Sequence, residues 1–357
     1  MKRIFLFLIL ISFNLFVIGQ DLNKSDSLAI IIPDSITNNA YSFAKYLKNN
    51  LKTDDKIVRA LYVWLGTNIT YDLDQLDSIE MLVVKNNYEG FTAYTLKNKK
   101  GVCTNYASVF NTICKLNGIK SYIVTGYTKQ FGEIDLKISH AWNVAKIENK
   151  WYLFDPTWGA GFIRFERFHK KFTFNYYKIN PDTLIKSHIP FDPIWQLKDY
   201  PLSHKDFLTN SFNQNTQIDF NDSIEKYLSL SEINKIKTAF ERSKQYGLDQ
   251  PLLNKYYNRN KDYYKKYTQW YYIEQYNLAV NELNEAISIY NKYIKNNRNK
   301  SQNSKINEII LKINISKEFL RNTSSEAIDQ LKIDKLNTNI LNFEKFILSL
   351  KSKQPKK

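Results

Sequence analysis

The chain has 357 residues, of which 43% are hydrophobic and 24% are charged, and its formal net charge is +16. This composition excludes a wholly disordered polymer, a collagen-like fibre and a protein with several membrane spans, and the length predicts about two domains. The two cysteines exclude a disulfide framework and a cysteine-based zinc site.

The first residues have the pattern of a secretory signal peptide. Lys2 and Arg3 precede an apolar run over residues 4–18. Val17 and Gly19 then stand at the spacing of the small residues before a signal-peptide cleavage site. This pattern predicts cleavage near Gly19-Gln20 and export of the mature protein to the periplasm or the extracellular space. An uncleaved membrane anchor is the alternative, but the run is shorter than the ~20 residues that a span needs.

The next part of the chain predicts a block of helices followed by a block of strands. Apolar residues recur at helical spacing over residues 41–68, with a division near Thr53, which is a suitable cap. A further helix is predicted between Gly101 and Gly118. Three strands are predicted over residues 121–125, 140–147 and 150–155, the last two joined by a two-residue turn at Glu148-Asn149. This order favours an α+β fold.

The remainder of the chain has the character of long helices. Helical patterns cover residues 223–246, 263–296, 304–321 and 325–350. We therefore predict a signal peptide over residues 1–19, a catalytic domain over 20–205 and an all-α helical region over 206–357. From residue 251 onward Lys and Arg are twice as frequent as Asp and Glu. An anionic cell-envelope surface is one possible partner of these basic helices, and a nucleic acid is not expected.

The two cysteines are too far apart to form a disulfide. If residues 103–114 are helical, the cysteines are separated by ~16 Å, whereas a disulfide needs Cα atoms within ~7 Å. Cys114 lies on the apolar helix face with Ala107 and Phe110, which is typical of a buried and inert thiol. Cys103 comes at the start of the helix, where unpaired N–H groups and the helix dipole stabilise a thiolate.

A histidine and an aspartate on the predicted strand pair complete a possible triad with Cys103. If Glu148-Asn149 is the turn, the register places His140 opposite Thr157 and puts Asp155 on the face of His140, as its diagonal neighbour. A nucleophile, a histidine base and a carboxylate that orients it form the arrangement used for nucleophilic catalysis.

The sequence around these three residues resembles the motifs of the transglutaminase-like superfamily. The cysteine motif is GVCTNYA at residues 101–107, the histidine motif SHAWN at 139–143 and the aspartate motif WYLFDPTWG at 151–159. Residues 64–72 resemble the helix end and Tyr-Asp step that precede the cysteine. Residues 188–197 resemble the segment after the core in the kyphoscoliosis-peptidase-like branch and its bacterial relatives. The resemblance covers about residues 35–205.

The resemblance implies a papain-like α+β core, in which the helix that carries the cysteine packs on an antiparallel sheet that carries the histidine and the aspartate. It implies thiol acyl transfer on peptide or protein amides by Cys103, His140 and Asp155. Hydrolysis by a cysteine protease-like hydrolase, a peptidase or amidase, is favoured. The alternatives are a true amine-transferring transglutaminase and a catalytically silent binding module. Asn105 stands where a glycine is frequent in the family, and it is expected to narrow the pocket.

Several further residues are candidates for the site. The superfamily takes a second oxyanion donor from upstream of the cysteine, and Tyr71 is favoured over Trp64. Trp142 and Trp158 are expected either to wall the site or to pack beside the strands. This chemistry needs no cofactor and no metal. His169, His188 and His204 have no metal-ligand spacing, so they are expected at the surface or in packing.

Overall fold

The structure is a computed structural model that describes residues 24–78, 88–130, 132–134, 138–211, 217–245, 247–248, 250–295 and 302–353. The predicted signal peptide lies outside the described residues. The described residues form two compact units, one of residues up to Ser231 with Thr238–Tyr257, the other of Glu232–Lys237 with residues from Asn258 onward. The first unit thus extends beyond residue 206, and the predicted domain assignment stays a prediction.

The helices and strands of the first unit have the following bounds. The α-helices are 24–31, Asp34–Thr37, Ala40–Asn50, Asp54–Asn68, Tyr88–Asn98, Cys103–Leu116, Pro156–Ala160, Pro181–Leu184, His204–Thr209 and Phe220–Ser229. Two 3₁₀ helices cover Leu73–Ser78 and Pro193–Gln196. The strands are β1 (Thr70–Tyr71), β2 (Lys100–Gly101), β3 (Ser121–Gln130), β4 (Glu133–Ile134), β5 (His140–Ile147), β6 (Lys150–Phe154), β7 (Gly161–Arg164), β8 (Arg167–Lys170) and β9 (His188–Pro190).

The predicted helices before the cysteine are confirmed. Asp54–Asn68 begins after Thr53, whose side chain accepts a hydrogen bond from Lys56 N at 3.3 Å. The stretch before Gly101 was not predicted to be helical, but Tyr88–Asn98 is a helix and packs on the cysteine helix, Cys103–Leu116. The apolar face of the cysteine helix joins the main hydrophobic core, where Phe110 lies 5.1 Å from Phe154 between ring centroids.

The main sheet is antiparallel and has the order β4-β3-β5-β6, with β9 also paired to β3. The predicted two-residue turn is confirmed: Ile147 pairs with Lys150, and Glu148 and Asn149 have positive φ angles of 48° and 65°. These angles suit the turn type that matches strand twist. At Gly126, β3 pairs with β5 on one side and β9 on the other, and a Cβ there would collide with the Ile189 carbonyl oxygen.

The helices of the C-terminal region are Glu232–Gln245, Pro251–Ile289 with a following π turn at Tyr290–Ile294, Asn303–Arg321 and Gln330–Ser352. The single helix predicted over residues 223–246 is wrong, because the chain leaves the helical conformation at Leu230. The longest helix contributes to a second core, where Ala279, Leu283 and Ala286 are buried together with Ile309 and Ile340. Among the described helices, none combines the length and the apolar character needed to cross a membrane.

Candidate active site

Cys103 is the first residue of its helix, as the sequence predicted. First-turn N–H groups have no partner within a helix, so the Cys103 N–H is available to other acceptors. The side chain is 6% exposed and packs against Ala107 and Ala141. Both cysteines are free thiols. Cys103 therefore combines a buried thiol with a helix start, where a thiolate is favoured.

Asn105 does not narrow the pocket, contrary to expectation. Its side chain is 1% exposed and points into the protein, where Oδ1 accepts from Val102 N at 3.1 Å and Nδ2 donates to Thr95 Oγ1 at 2.8 Å. The side chain lies over Gly101, where a Cβ would collide with it. Asn105 therefore fixes the backbone turn just before Cys103, a role that depends on its amide hydrogen bonds.

His140 and Asp155 are in direct contact. His140 opens β5, and its Nε2 lies 2.8 Å from Asp155 Oδ2. The strand pairing ends at Asn143 and Phe154, so the predicted pairing of His140 with Thr157 is wrong. Asp155 instead caps a short helix, with Oδ1 accepting from Thr157 N at 2.9 Å and Trp158 N at 3.1 Å. Its two oxygens therefore do different work: one holds the backbone and the other holds the histidine.

The three groups shift one another's pKa values. Burial favours neutral His140, but Asp155 and Cys103 together outweigh it and raise the pKa of His140 to about 10. Burial also disfavours the Asp155 carboxylate, yet the histidines beside it hold its pKa below the ordinary range. Burial opposes ionisation of Cys103, but a hydrogen bond and charge interaction with His140 leave the thiol pKa lowered. These directions favour a thiolate–imidazolium pair over two neutral groups.

His188 belongs to this cluster, although the sequence suggested only a surface or packing role. It is 1% exposed, and its Nε2 lies 3.1 Å from the Asp155 oxygen that contacts His140. Burial keeps the pKa of His188 below its ordinary value despite Asp155. The contact is therefore a hydrogen bond from a neutral ring. The signal that could have found His188 was its place at the start of the segment 188–197, which resembles the family.

The remaining sequence candidates divide between the site and the core. Tyr71 and Trp158 line a cavity together with Cys103. Trp142 is fully buried and stacks 6.0 Å from His140 between ring centroids. Trp64 is 1% exposed in the hydrophobic core, where its ring lies 4.7 Å from Phe43. Trp64 thus packs the core, whereas Tyr71 remains the better placed candidate.

The other two histidines behave as packing and surface residues. His204 is 3% exposed and packs against Tyr127 at 5.5 Å between ring centroids, and burial lowers its pKa to about 4. His169 is exposed on β8. Both expectations for these two residues are met.

The cavity at Cys103 and His140 has a volume of about 1000 Å³. One wall comes from the β7–β8 hairpin, which contributes Phe162, Ile163 and Phe168. The end of β3 and β4 also line the cavity. A volume of this size lies in the range of ligand clefts, so a peptide-sized substrate has room beside the thiol.

His140, Asp155 and His188 also form a group of metal-ligand types, with atoms within 4.8 Å of one another. A tetrahedral metal with ligands at ~2.0–2.1 Å keeps its ligand atoms about 3.3 Å apart. Asp155 Oδ2 lies 2.8 Å from His140 Nε2 and 3.1 Å from His188 Nε2. These distances are those of hydrogen bonds, which account for the cluster as it stands.

Comparison with known proteins places this geometry in a family. The model of a family described as the transglutaminase-like superfamily matches residues 41–156. Kyphoscoliosis peptidase of Homo sapiens is 31% identical over 171 residues, which cover 45% of this chain and 25% of that protein. The Mus musculus protein of the same name is 29% identical over the same shares. The chain thus spans about a quarter of the length of these relatives.

A solved structure described as that of a TGase covers 40% of this chain and 36% of its own, with 19% identity and a TM-score of 0.25. A likeness at this level supports no argument. The superfamily is in general enzymatic, of the peptidase or transglutaminase type. The motifs, the α+β core and the family match agree on residues 41–156, which form a transglutaminase-like region of the chain.

Proposed function

We propose that this chain is an exported cysteine peptidase or amidase that hydrolyses peptide or protein amides. Cys103 is the nucleophile, His140 the general acid and base, and Asp155 the residue that orients His140. The observation that carries the proposal is the 2.8 Å contact between His140 Nε2 and Asp155 Oδ2. Because Nε2 faces Asp155, the other ring nitrogen of His140 is left for the Cys103 thiol, at the floor of a cavity that both residues line.

The chemistry follows from the ion pair. The Cys103 thiolate attacks the amide carbonyl carbon, and the imidazolium of His140 gives its proton to the leaving amine nitrogen as the C–N bond breaks. The product is a thioester on Cys103. Neutral His140 then takes a proton from water, which attacks the thioester and releases the acid, and the thiolate and imidazolium are restored.

Two donors are placed to hold the oxyanion that forms during each attack. The backbone N–H of Cys103 has no partner within the helix, and it lies close enough to the Tyr71 hydroxyl to act on the pKa of Tyr71. A carbonyl oxygen that enters between them can accept from both the N–H and the Tyr71 O–H. Each such donor is worth ~10²–10³ in rate.

Selective alkylation tests the proposal. Iodoacetamide is applied between pH 5 and 9, and mass spectrometry separates Cys103 from Cys114. Since the Cys103 pKa is lowered and the Cys114 pKa is raised by burial, we expect Cys103 to react rapidly at pH 6 while Cys114 stays protected. The reactive form of Cys103 exists above its lowered pKa, so its rate should fall only toward the acid end of this range.

Replacement of His140 by Ala should abolish the reactivity at pH 6, because the thiolate loses its imidazolium partner. His204→Ala is the matched control, since it removes another buried histidine that packs on Tyr127. Labelling of wild-type Cys103 only above pH ~8.5, the range of an ordinary thiol, would contradict the proposal.

A further inference from the structure

His188 has the contacts of a residue that positions Asp155. We propose that His188 is a positioning residue that fixes Asp155 Oδ2 on the ring nitrogen of His140 and so sustains the reactive state of Cys103. The inference rests on the proposed function and extends the site by a residue outside the Cys-His-Asp triad. It starts from a single oxygen atom, Asp155 Oδ2, which contacts both histidines.

Each oxygen of the Asp155 carboxylate needs a hydrogen-bond donor that the fold itself holds in place. Oδ1 has two, the backbone N–H groups of Thr157 and Trp158. Oδ2 contacts His140, but His140 is the group that Asp155 has to orient, so it is not such a donor. His188 is a suitable donor for Oδ2 because it belongs to β9, which is paired to β3 with His188 opposite Thr128.

The ring of His188 is held on all sides. Its centroid lies 4.3 Å from that of Trp158 and 5.3 Å from that of Trp142, and the residue is 1% exposed. On the far edge, Nδ1 lies 2.8 Å from Ser187 Oγ. The Asp155 carboxylate oxygen can only accept, so the proton of a neutral ring lies on Nε2 and Nδ1 accepts. The Ser187 hydroxyl, which also lies 3.3 Å from Leu184 O, is the donor within reach of Nδ1.

The charges around His188 agree with a neutral donor. Asp155 and His140 are the titratable groups that act on its ring, and Tyr176 lies 6.2 Å away between ring centroids. A second imidazolium on the same carboxylate would repel that of His140, and burial disfavours it further. His188 therefore donates a hydrogen bond without competing for the charge of Asp155.

Removal of this donor should weaken the whole chain of contacts. When Oδ2 is no longer held in place, its hydrogen bond with the imidazolium of His140 weakens. The Cys103 thiolate then loses part of the stabilisation that the imidazolium gives it. A hydrogen bond to a charged group corresponds to about one pKa unit. We therefore expect the acid limb of the Cys103 alkylation profile to move to higher pH by about one unit in His188→Leu.

Two other variants separate the hydrogen bond from packing. His188→Gln keeps an N–H near the position of Nε2 without a titratable ring, so its profile should stay close to that of the wild type. Ser187→Ala leaves the ring in place but removes the hydroxyl next to Nδ1, which supports the tautomer with its proton on Nε2, and it should give a smaller shift in the same direction. His204→Leu makes the same replacement at a buried histidine outside this cluster and should leave the profile unchanged.

The experiment measures iodoacetamide rate constants at Cys103 in the full chain from pH 4 to 9, with thermal unfolding of each variant recorded in parallel. An unmoved or acid-shifted limb in a folded His188→Leu, or a Gln variant as impaired as Leu, overturns the inference. If His188→Leu does not fold, an unshifted acid limb in Ser187→Ala overturns the inference instead. Absence of low-pH reactivity in the wild type would instead refute the proposed function, so the two failures are distinct.

Discussion

The two ends of the cysteine helix carry the same side chain with opposite properties. Cys103, at the first position, is 6% exposed, and Cys114, near the last turn, is fully buried. The pKa of Cys103 is lowered, whereas burial raises that of Cys114 above its ordinary value. Burial penalises the thiolate at both ends, so burial does not explain the difference.

The difference lies in what each thiol faces. Cys103 faces a histidine whose pKa is raised by a buried carboxylate. Cys114 packs in the main apolar core, where burial disfavours its thiolate. We therefore expect the reactivity of each thiol to depend on the side chains that other elements bring next to it. Variants that change these side chains one at a time test this.

The largest effect is expected for Asp155→Asn. Loss of the carboxylate charge lowers the pKa of His140 and returns Cys103 toward an ordinary thiol, which has under ~1% thiolate at pH 6. The alkylation rate of Cys103 at pH 6 should fall by about 100-fold, and Cys114 should not change. Asp192→Asn is the control, since Asp192 is a buried carboxylate paired with Arg242 at 2.7 Å. Equal rates in wild type and Asp155→Asn would remove the charge-based account of the two ends.

A smaller effect, limited to turnover, is expected for Tyr71→Phe. Without the hydroxyl, the oxyanion keeps only the Cys103 N–H, so acyl transfer from p-nitrophenyl acetate should slow by about 10²-fold. The pH dependence of Cys103 alkylation should persist, because alkylation forms no oxyanion. Tyr176→Phe removes another hydroxyl at the cavity and serves as the control. Similar acyl-transfer rates in both variants would exclude Tyr71 as an oxyanion donor.

The smallest effect on reactivity is expected for Cys114→Ala. Removal of a buried sulfur from the core should lower the free energy of unfolding by about 1–2 kcal/mol, as measured by urea denaturation. The alkylation rate of Cys103 should stay within about 2-fold of the wild type, because changes at distant sites that share no partners act independently to within ~0.5 kcal/mol. Cys103→Ala is the complementary variant and should abolish the low-pH labelling. A large loss of Cys103 reactivity in Cys114→Ala would show that the two ends are coupled.

The local sequence was sufficient to predict the elements that carry the triad. Helical periodicity placed Cys103 at a helix start, and the turn residues Glu148 and Asn149 set the register between β5 and β6. Both signals arise within a short stretch of chain, so they do not depend on distant partners. The same register predicted that His140 and Asp155 lie close together, but the strand pairing ends at Phe154 and Asp155 reaches His140 as a helix cap.

The roles of the other polar residues could not be predicted from local sequence. His188 contacts Asp155, which lies 33 residues earlier in the chain, because β9 pairs with β3. The amide of Asn105 turns inward because Thr95, on a helix that the sequence did not predict, accepts its hydrogen bond. Likewise, Trp64 packs in the hydrophobic core, whereas Tyr71 lines the cavity.

The sequence by itself thus determined the three residues of the proposed triad, because their motifs and the helix and turn signals around them are local. Only the tertiary structure decided which further groups surround the Asp155 carboxylate and which side chains wall the cavity. A buried polar group takes whatever hydrogen-bond partners the packing of distant strands and helices brings to it, and pattern along one stretch of chain does not encode that choice.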